Sequence, residues 1–249
     1  MQLFIHSWRQ VTGNFAQALR VGMLLLAITL ASPVLVLVGL GGFVHSLLLV
    51  ASLVLSVTTA IAWHRYVLLA DPNAADPLNP PPGSFLAYLL TGLRVALLLF
   101  VAILLTSAIA SLVAGMLFGA AFMVALPDGT ITPGPAYLPI LLIIAVVMNT
   151  MFNRFALCFP AIALGRRIRL RESWDKTAPM NGQILVTSVL MVAGIAALQA
   201  IALYLPPTTV RGAILGVVTA VPIWVFTMLG ISVMTTLYGI LIEGRELKA

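Results

Sequence analysis

An all-α membrane fold of six transmembrane helices, paired as three helical hairpins, is what the sequence predicts, and three observations predict it. The first is composition: of 249 residues, 61% are hydrophobic and only 8% are charged, against roughly a quarter charged in soluble domains. The second is block length. Apolar runs repeatedly reach the roughly 20 residues a helix needs to cross a hydrocarbon core, and the short alternating segments of an outer-membrane barrel are missing. The third is where the 13 Lys and Arg residues fall. Arg166, Arg167, Arg169, Arg171 and Lys176 crowd one segment between two apolar runs, and such a segment resists transfer across a membrane.

Taken in order, residues 1–18 predict an amphipathic helix. Phe4, Trp8, Val11, Phe15 and Ala18 recur on one helical face, with Arg9, Gln10 and Asn14 among the polar residues. Such a helix lies in the membrane interface with Trp8 at headgroup level. The first span covers residues 19–40 and contains Pro33. Gly39, Gly41 and Gly42 turn the chain into a second span, 43–63. The stretch DPNAADPLNPPPGS, Asp71–Ser84, is too rich in Pro, Asn and Asp to continue a helix. A third span occupies 85–112, although its apolar run continues past Phe118, longer than a bilayer requires. Pro127–Pro135 reads as an external loop. Spans four, five and six then cover 137–154, 183–205 and 212–242, the last with Pro222 inside. The whole chain, 1–249, is expected to form a single polytopic domain.

With six spans, one side holds Arg9, Arg20, Arg65, Arg94, Arg154, Arg166, Arg167, Arg169, Arg171, Lys176, Arg245 and Lys248, and the other only Arg211. Positive residues accumulate on the cytoplasmic side, so both termini are expected there. The net charge of +6 then implies contact with anionic phospholipid. A nucleic-acid partner is not expected, because no basic patch with interleaved aromatics lies outside the spans. Cys158 is the single cysteine, which excludes an intrachain disulfide. The N-terminus lacks an apolar region followed by small cleavage-site residues and is expected to be retained.

The hairpins resemble one another. Ile61–Leu69, Thr150–Cys158 and Val233–Leu241 align so that Arg65 matches Arg154 and Tyr66 matches Phe155 and Tyr238, with Leu237 in the arginine's place. Ser7-Trp8 and Gln17 recur as Ser173-Trp174 and Gln183. A parallel repeat is predicted, with every hairpin starting and ending on the cytoplasmic side. It places Arg154 at the level of Arg65. Were the helix to continue to Gly165, Arg154 would lie about 18 Å deeper than Arg166, costly for an unpaired cation. Residues Phe155–Leu164 are then expected to form a surface-hugging extension broken at Pro160.

Chemistry is thinly signalled. All seven carboxylates fall outside the expected spans, which disfavours proton-coupled transport and intramembrane aspartyl proteolysis. GxSxG, HExxH and phosphate-loop motifs are absent, and His6, His45 and His64 are scattered, so no catalytic residue, metal site or cofactor is expected. What stands out is a set of interface arginines, Arg20, Arg65, Arg94 and Arg154, with His64, Asn149, Asn153, Trp63 and Trp174 nearby. They read either as topology-setting side chains that snorkel to headgroups or as a phosphate pocket for an anionic lipid, since guanidinium forks match phosphate oxygens.

The run Phe-Asn-Arg-Phe-x-Leu-x-x-Pro-Ala-Ile-Ala from Phe152, followed by Glu-Ser-Trp-Asp-Lys-Thr (Glu172–Thr177) and a new span, resembles small bacterial six-span proteins. These include the YciC-like inner-membrane proteins and the membrane domain preceding some glycerophosphodiester phosphodiesterases. The opening Trp-Arg-Gln-Val-Thr-Gly-Asn-Phe (Trp8–Phe15) is similar to their start. The resemblance implies a bacterial inner-membrane location and a lipid- or partner-facing module, and carries over no active residue. The expectation is therefore a non-enzymatic inner-membrane protein, lipid-associated or accessory to other membrane-protein subunits. The alternative is a permease component for a hydrophobic or amphiphilic solute.

Overall fold

The computed structural model describes residues 1–39, 42–69, 79–119, 122–125, 131–200 and 209–246. Gly41, most of the Asp71–Ser84 loop, Asp128, Pro206 and Pro207, the Arg211 side chain and Lys248 lie outside what is described.

The helices are α1 (Gln2–Gly13), α2 (Phe15–Leu37), α3 (Phe43–Leu68), α4 (Ser84–Phe118), α5 (Tyr137–Arg154), α6 (Cys158–Ala163), α7 (Leu170–Thr177), α8 (Asn181–Ala200) and α9 (Thr209–Leu241). Six stretches, carried by α2, α3, α4, α5, α8 and α9, are long and apolar enough to cross a membrane. The fold is therefore helical and multi-pass in character, with ends that differ from the expected ones. α2 begins at Phe15, α3 continues to Leu68, and α8 begins at Asn181. α4 has 35 residues, about 52 Å of helix against a hydrocarbon core of about 30 Å. Between α4 and α5 the chain forms a small antiparallel hairpin, β1 (Met123–Ala125) with β2 (Ile131–Pro133). The Gly134 amide closes it onto the Phe122 carbonyl at 2.7 Å. Strands of three residues are too short for apolar alternation to reveal, so the sequence read this segment as loop.

Each membrane-length helix packs on the next in chain order, and α9 closes the ring onto α2. The third hairpin is the loosest: α8 packs mainly on α5, and α9 mainly on α2. Glycines explain the second pairing. A Cβ on Gly22 would lie 2.6 Å from Trp224 Nε1, and that indole donates to the Gly22 carbonyl at 3.1 Å. Gly216 likewise leaves room for Pro33, and Gly194 for the Phe226 ring where α8 does touch α9.

Burial is concentrated at one end of the bundle, where α2, α4 and α8 begin and α3, α5 and α9 finish. Ala18, Ile61, Trp63, Leu157, Ile184, Met228 and Leu237 are buried there, whereas Leu49, Leu53, Leu104, Leu112, Leu141 and Val218 are exposed towards the other end. α1, α6 and α7 cover the buried end, which we term the capped end.

α1 is present, with Leu3, Ser7 and Val11 buried against the end of α9, where Ser7 Oγ donates to Thr236 Oγ1 at 3.2 Å, and with Trp8 and Phe15 exposed. One local expectation changes. Residues 156–164 do not hug a surface. Ala156, Leu157, Cys158, Phe159, Ala161 and Ala163 are buried, and α6 is packed beneath α3, α4 and α9. Gly165, at φ +74°, lets the chain leave α6 through a left-handed residue, with the Arg166 amide bonded back to the Ala161 carbonyl at 2.8 Å.

Candidate functional site

The four expected site arginines divide by exposure. Arg20 and Arg94 are exposed on the flanks of α2 and α4, whereas Arg65 and Arg154 are buried. Arg154 Nε donates to Thr177 Oγ1 at 2.8 Å and its Nη1 to Asn181 Oδ1 at 2.5 Å. Its Nη2 donates to the Trp174 carbonyl, and its guanidinium carbon lies 4.2 Å from the Trp174 ring centroid. Ser173 Oγ donates to the Arg154 carbonyl at 2.8 Å and accepts from the Leu157 amide at 3.2 Å. Arg154 thus ties the end of α5 to α7 and to the start of α8. Arg65 Nη1 donates to the Ala163 carbonyl at the end of α6, 3.2 Å away. Arg245, which was not among the expected site residues, reaches the last carbonyls of α3: Val67 at 3.1 Å and Leu68 at 2.6 Å. It also pairs with Glu243 at 2.8 Å. Three arginines therefore meet the partially negative carbonyl ends of three different helices.

A second polar group lies in the same end. Trp63 Nε1 donates to Ser232 Oγ at 2.8 Å. His64, fully buried, lies 2.7 Å from Thr235 Oγ1 through Nδ1 and 3.2 Å from the Tyr88 hydroxyl through Nε2. Thr235 Oγ1 already donates to the Ile231 carbonyl at 2.8 Å, so it accepts from Nδ1–H, leaving Nε2 to accept the tyrosine proton. Both ring nitrogens are consumed in joining α3, α4 and α9. Of the hydroxyl residues of α9, Ser232, Thr235 and Thr236 all reach other helices in this way, whereas Asn153 Nδ2 bonds Asn149 within α5. Among the described residues no group of three or more His, Cys, Asp or Glu side chains is arranged to hold a metal ion.

Cavities mark where ligands fit. One, of about 750 Å³, is a cleft between α5 and α8. Leu141, Ala145 and Asn149 line it from α5, and Val192, Ala196 and Gln199 from α8. It extends from Leu138 to Phe152, about 21 Å along α5, with the small side chains of Ala145 and Ala196 among its walls. A cavity of about 540 Å³ lies between α2, α3 and α9 towards the uncapped end. At the capped end a cleft of about 470 Å³ runs past His6, Gln10, Thr236 and Arg245. Sequence reasoning foresaw none of these, since lipid-facing and cleft-facing apolar positions read alike; only the Ala145/Ala196 pair on otherwise bulky faces is a signal in hindsight. Comparison with protein-family models, curated proteins and solved structures returns no match.

Proposed function

We propose that this chain is a non-enzymatic, multi-pass protein of the bacterial inner membrane that holds phospholipid. It acts there as a lipid-associated module or as an accessory component alongside other membrane-protein subunits. The capped end is cytoplasmic in this reading. The observation that carries it is the cleft between α5 and α8: an apolar groove formed by two membrane-length helices, about 21 Å long, within a hydrocarbon core about 30 Å thick. Its surroundings in a bilayer are acyl chains, and its walls offer little else to bind. Asn149, towards the capped end of the groove, and Gln199, at the other, are the polar side chains among the described residues that line it. Headgroups of anionic lipid are attracted to the exposed Arg166, Arg167, Arg169 and Arg171 at the same end of the molecule, each exposed contact contributing about 1 kcal/mol near an anionic leaflet.

Filling the groove tests this. Ala145→Trp combined with Ala196→Trp should lower the phospholipid retained through mild-detergent purification, counted by native mass spectrometry, while leaving thermal unfolding close to wild type. Undiminished lipid in a folded double variant would sink the proposal. The alternative, a permease component for a hydrophobic or amphiphilic solute, is favoured by one observation, the polar side chains among the mostly apolar walls of the cavity between α2, α3 and α9.

A further inference from the structure

The cavity between α2, α3 and α9 differs in chemistry from the α5–α8 cleft. Thr29 and Ser32 of α2, His45 and Ser52 of α3 and Thr219 of α9 all line it. Ser52 lies about 13 Å along α3 from Phe43, and Thr219 about 15 Å along α9 from Thr209. Polar side chains set in otherwise apolar walls therefore reach roughly half-way through a core about 30 Å thick, where a polar side chain without a partner is unfavourable. Thr29 Oγ1 donates to the Leu25 carbonyl at 2.8 Å and Thr219 Oγ1 to the Leu215 carbonyl at 2.6 Å, so both turn lone pairs, and no proton, towards the space. His45 Nδ1 is buried and has no hydrogen-bond partner among the described residues. No Asp, Glu, Lys or Arg is among the described residues that line the cavity.

We infer that this cavity is a binding site for an uncharged, hydroxyl-rich group. Among the described side chains that line it, a charged ligand meets no counter-charge, and it loses its hydration. An apolar one leaves the imidazole and the serine hydroxyls unpaired. A sugar or polyol hydroxyl both donates and accepts, which matches threonines that only accept, serines that do both, and an imidazole that does either by tautomer. Gly216 lines the cavity beside Pro33, whose ring packs too closely against it for any side chain at that position. A free sugar and the head of a glycolipid share this chemistry, and the test separates the two sources. The inference does not depend on lipid in the α5–α8 cleft.

The test uses the full chain in nanodiscs. Methyl β-glucoside, read by saturation-transfer NMR, probes the free source. A glucosyl diacylglycerol, compared by native mass spectrometry with the diacylglycerol of the same chains, probes the lipid-borne one. Binding of either glucoside is expected, weakened about tenfold by His45→Phe, the loss of one buried hydrogen bond, and abolished by Ser52→Leu. Should Ser52→Leu misfold, His45→Phe alone decides. Binding of only the free or only the lipid-borne glucoside assigns the source. No binding of either by the wild type, or binding that His45→Phe leaves unchanged, means the cavity holds water only and overturns the inference. Lipid retained by the α5–α8 cleft should be unaltered in both variants.

Discussion

Arg154 spends its guanidinium on Thr177, Asn181 and the Trp174 carbonyl, so its first effect is on folding. Arg154→Ala strands the Asn181 and Trp174 acceptors and should destabilise the protein by about 2–3 kcal/mol, with Arg154→Lys recovering only part, because a single ammonium cannot reach three diverging acceptors. Thermal unfolding in detergent reads this. The same variants should alter anionic-lipid retention less than replacing Arg167 and Arg169 by Gln, both of which are exposed. A larger lipid loss from Arg154→Ala in a folded sample would return that residue to a headgroup pocket. The sequence aligned Arg65 with Arg154, and both are buried at helix ends, which the sequence did not predict. It gave no sign that each would serve a neighbouring helix, because Ala163 and Trp174 present backbone carbonyls, which have no signature in residue type. Arg20 and Arg94 carry the same charge and the same apolar flanks, yet are exposed. Which face of a helix is covered is decided by packing partners distant in sequence.

At the scale of elements, α9 organises the bundle: it touches α1, α2, α3, α6 and α8. Its approach to α2 depends on Gly22 beneath Trp224. Gly22→Ala should therefore cost about 1–3 kcal/mol through overpacking, although alanine favours helix. Gly115→Ala is the control, since nothing lies within 4 Å of the added carbon, and it should be neutral or stabilising by up to about 1 kcal/mol. Equal effects from the two, measured by thermal unfolding, would show that helix propensity and not close approach governs Gly22. Apolar run length sufficed to find α2, α3, α4, α5, α8 and α9, because a span is a local property of the chain. α6 was harder. Phe155–Leu164 is apolar enough for either a bilayer surface or a protein interior, and only the Gly165 turn together with the packing of α3, α4 and α9 decides for the interior.

For the whole molecule, the exposed basic side chains among the described residues gather at the capped end, and the proposed orientation follows from them. Reporter fusions at Gly129 and at the C-terminus should read outside and inside respectively; the reverse would place the capped end outside and overturn the cytoplasmic assignment. The number and order of spans were legible because hydropathy is averaged over many residues. The tapering of burial from one end to the other was not, since it arises from which helices converge. The closure of α9 onto α2 also has a bearing on biogenesis. Trp224 bonds Gly22 across 202 positions of sequence, and Thr236 bonds Ser7 across 229. At a synthesis rate of roughly 5–20 residues per second, the first span waits on the order of 10–40 seconds for its main partner to leave the ribosome. Throughout that interval the glycine-notched side of α2 faces lipid or the insertion machinery, and a nascent chain stalled before Thr209 displays an unclosed seam that membrane quality control can recognise.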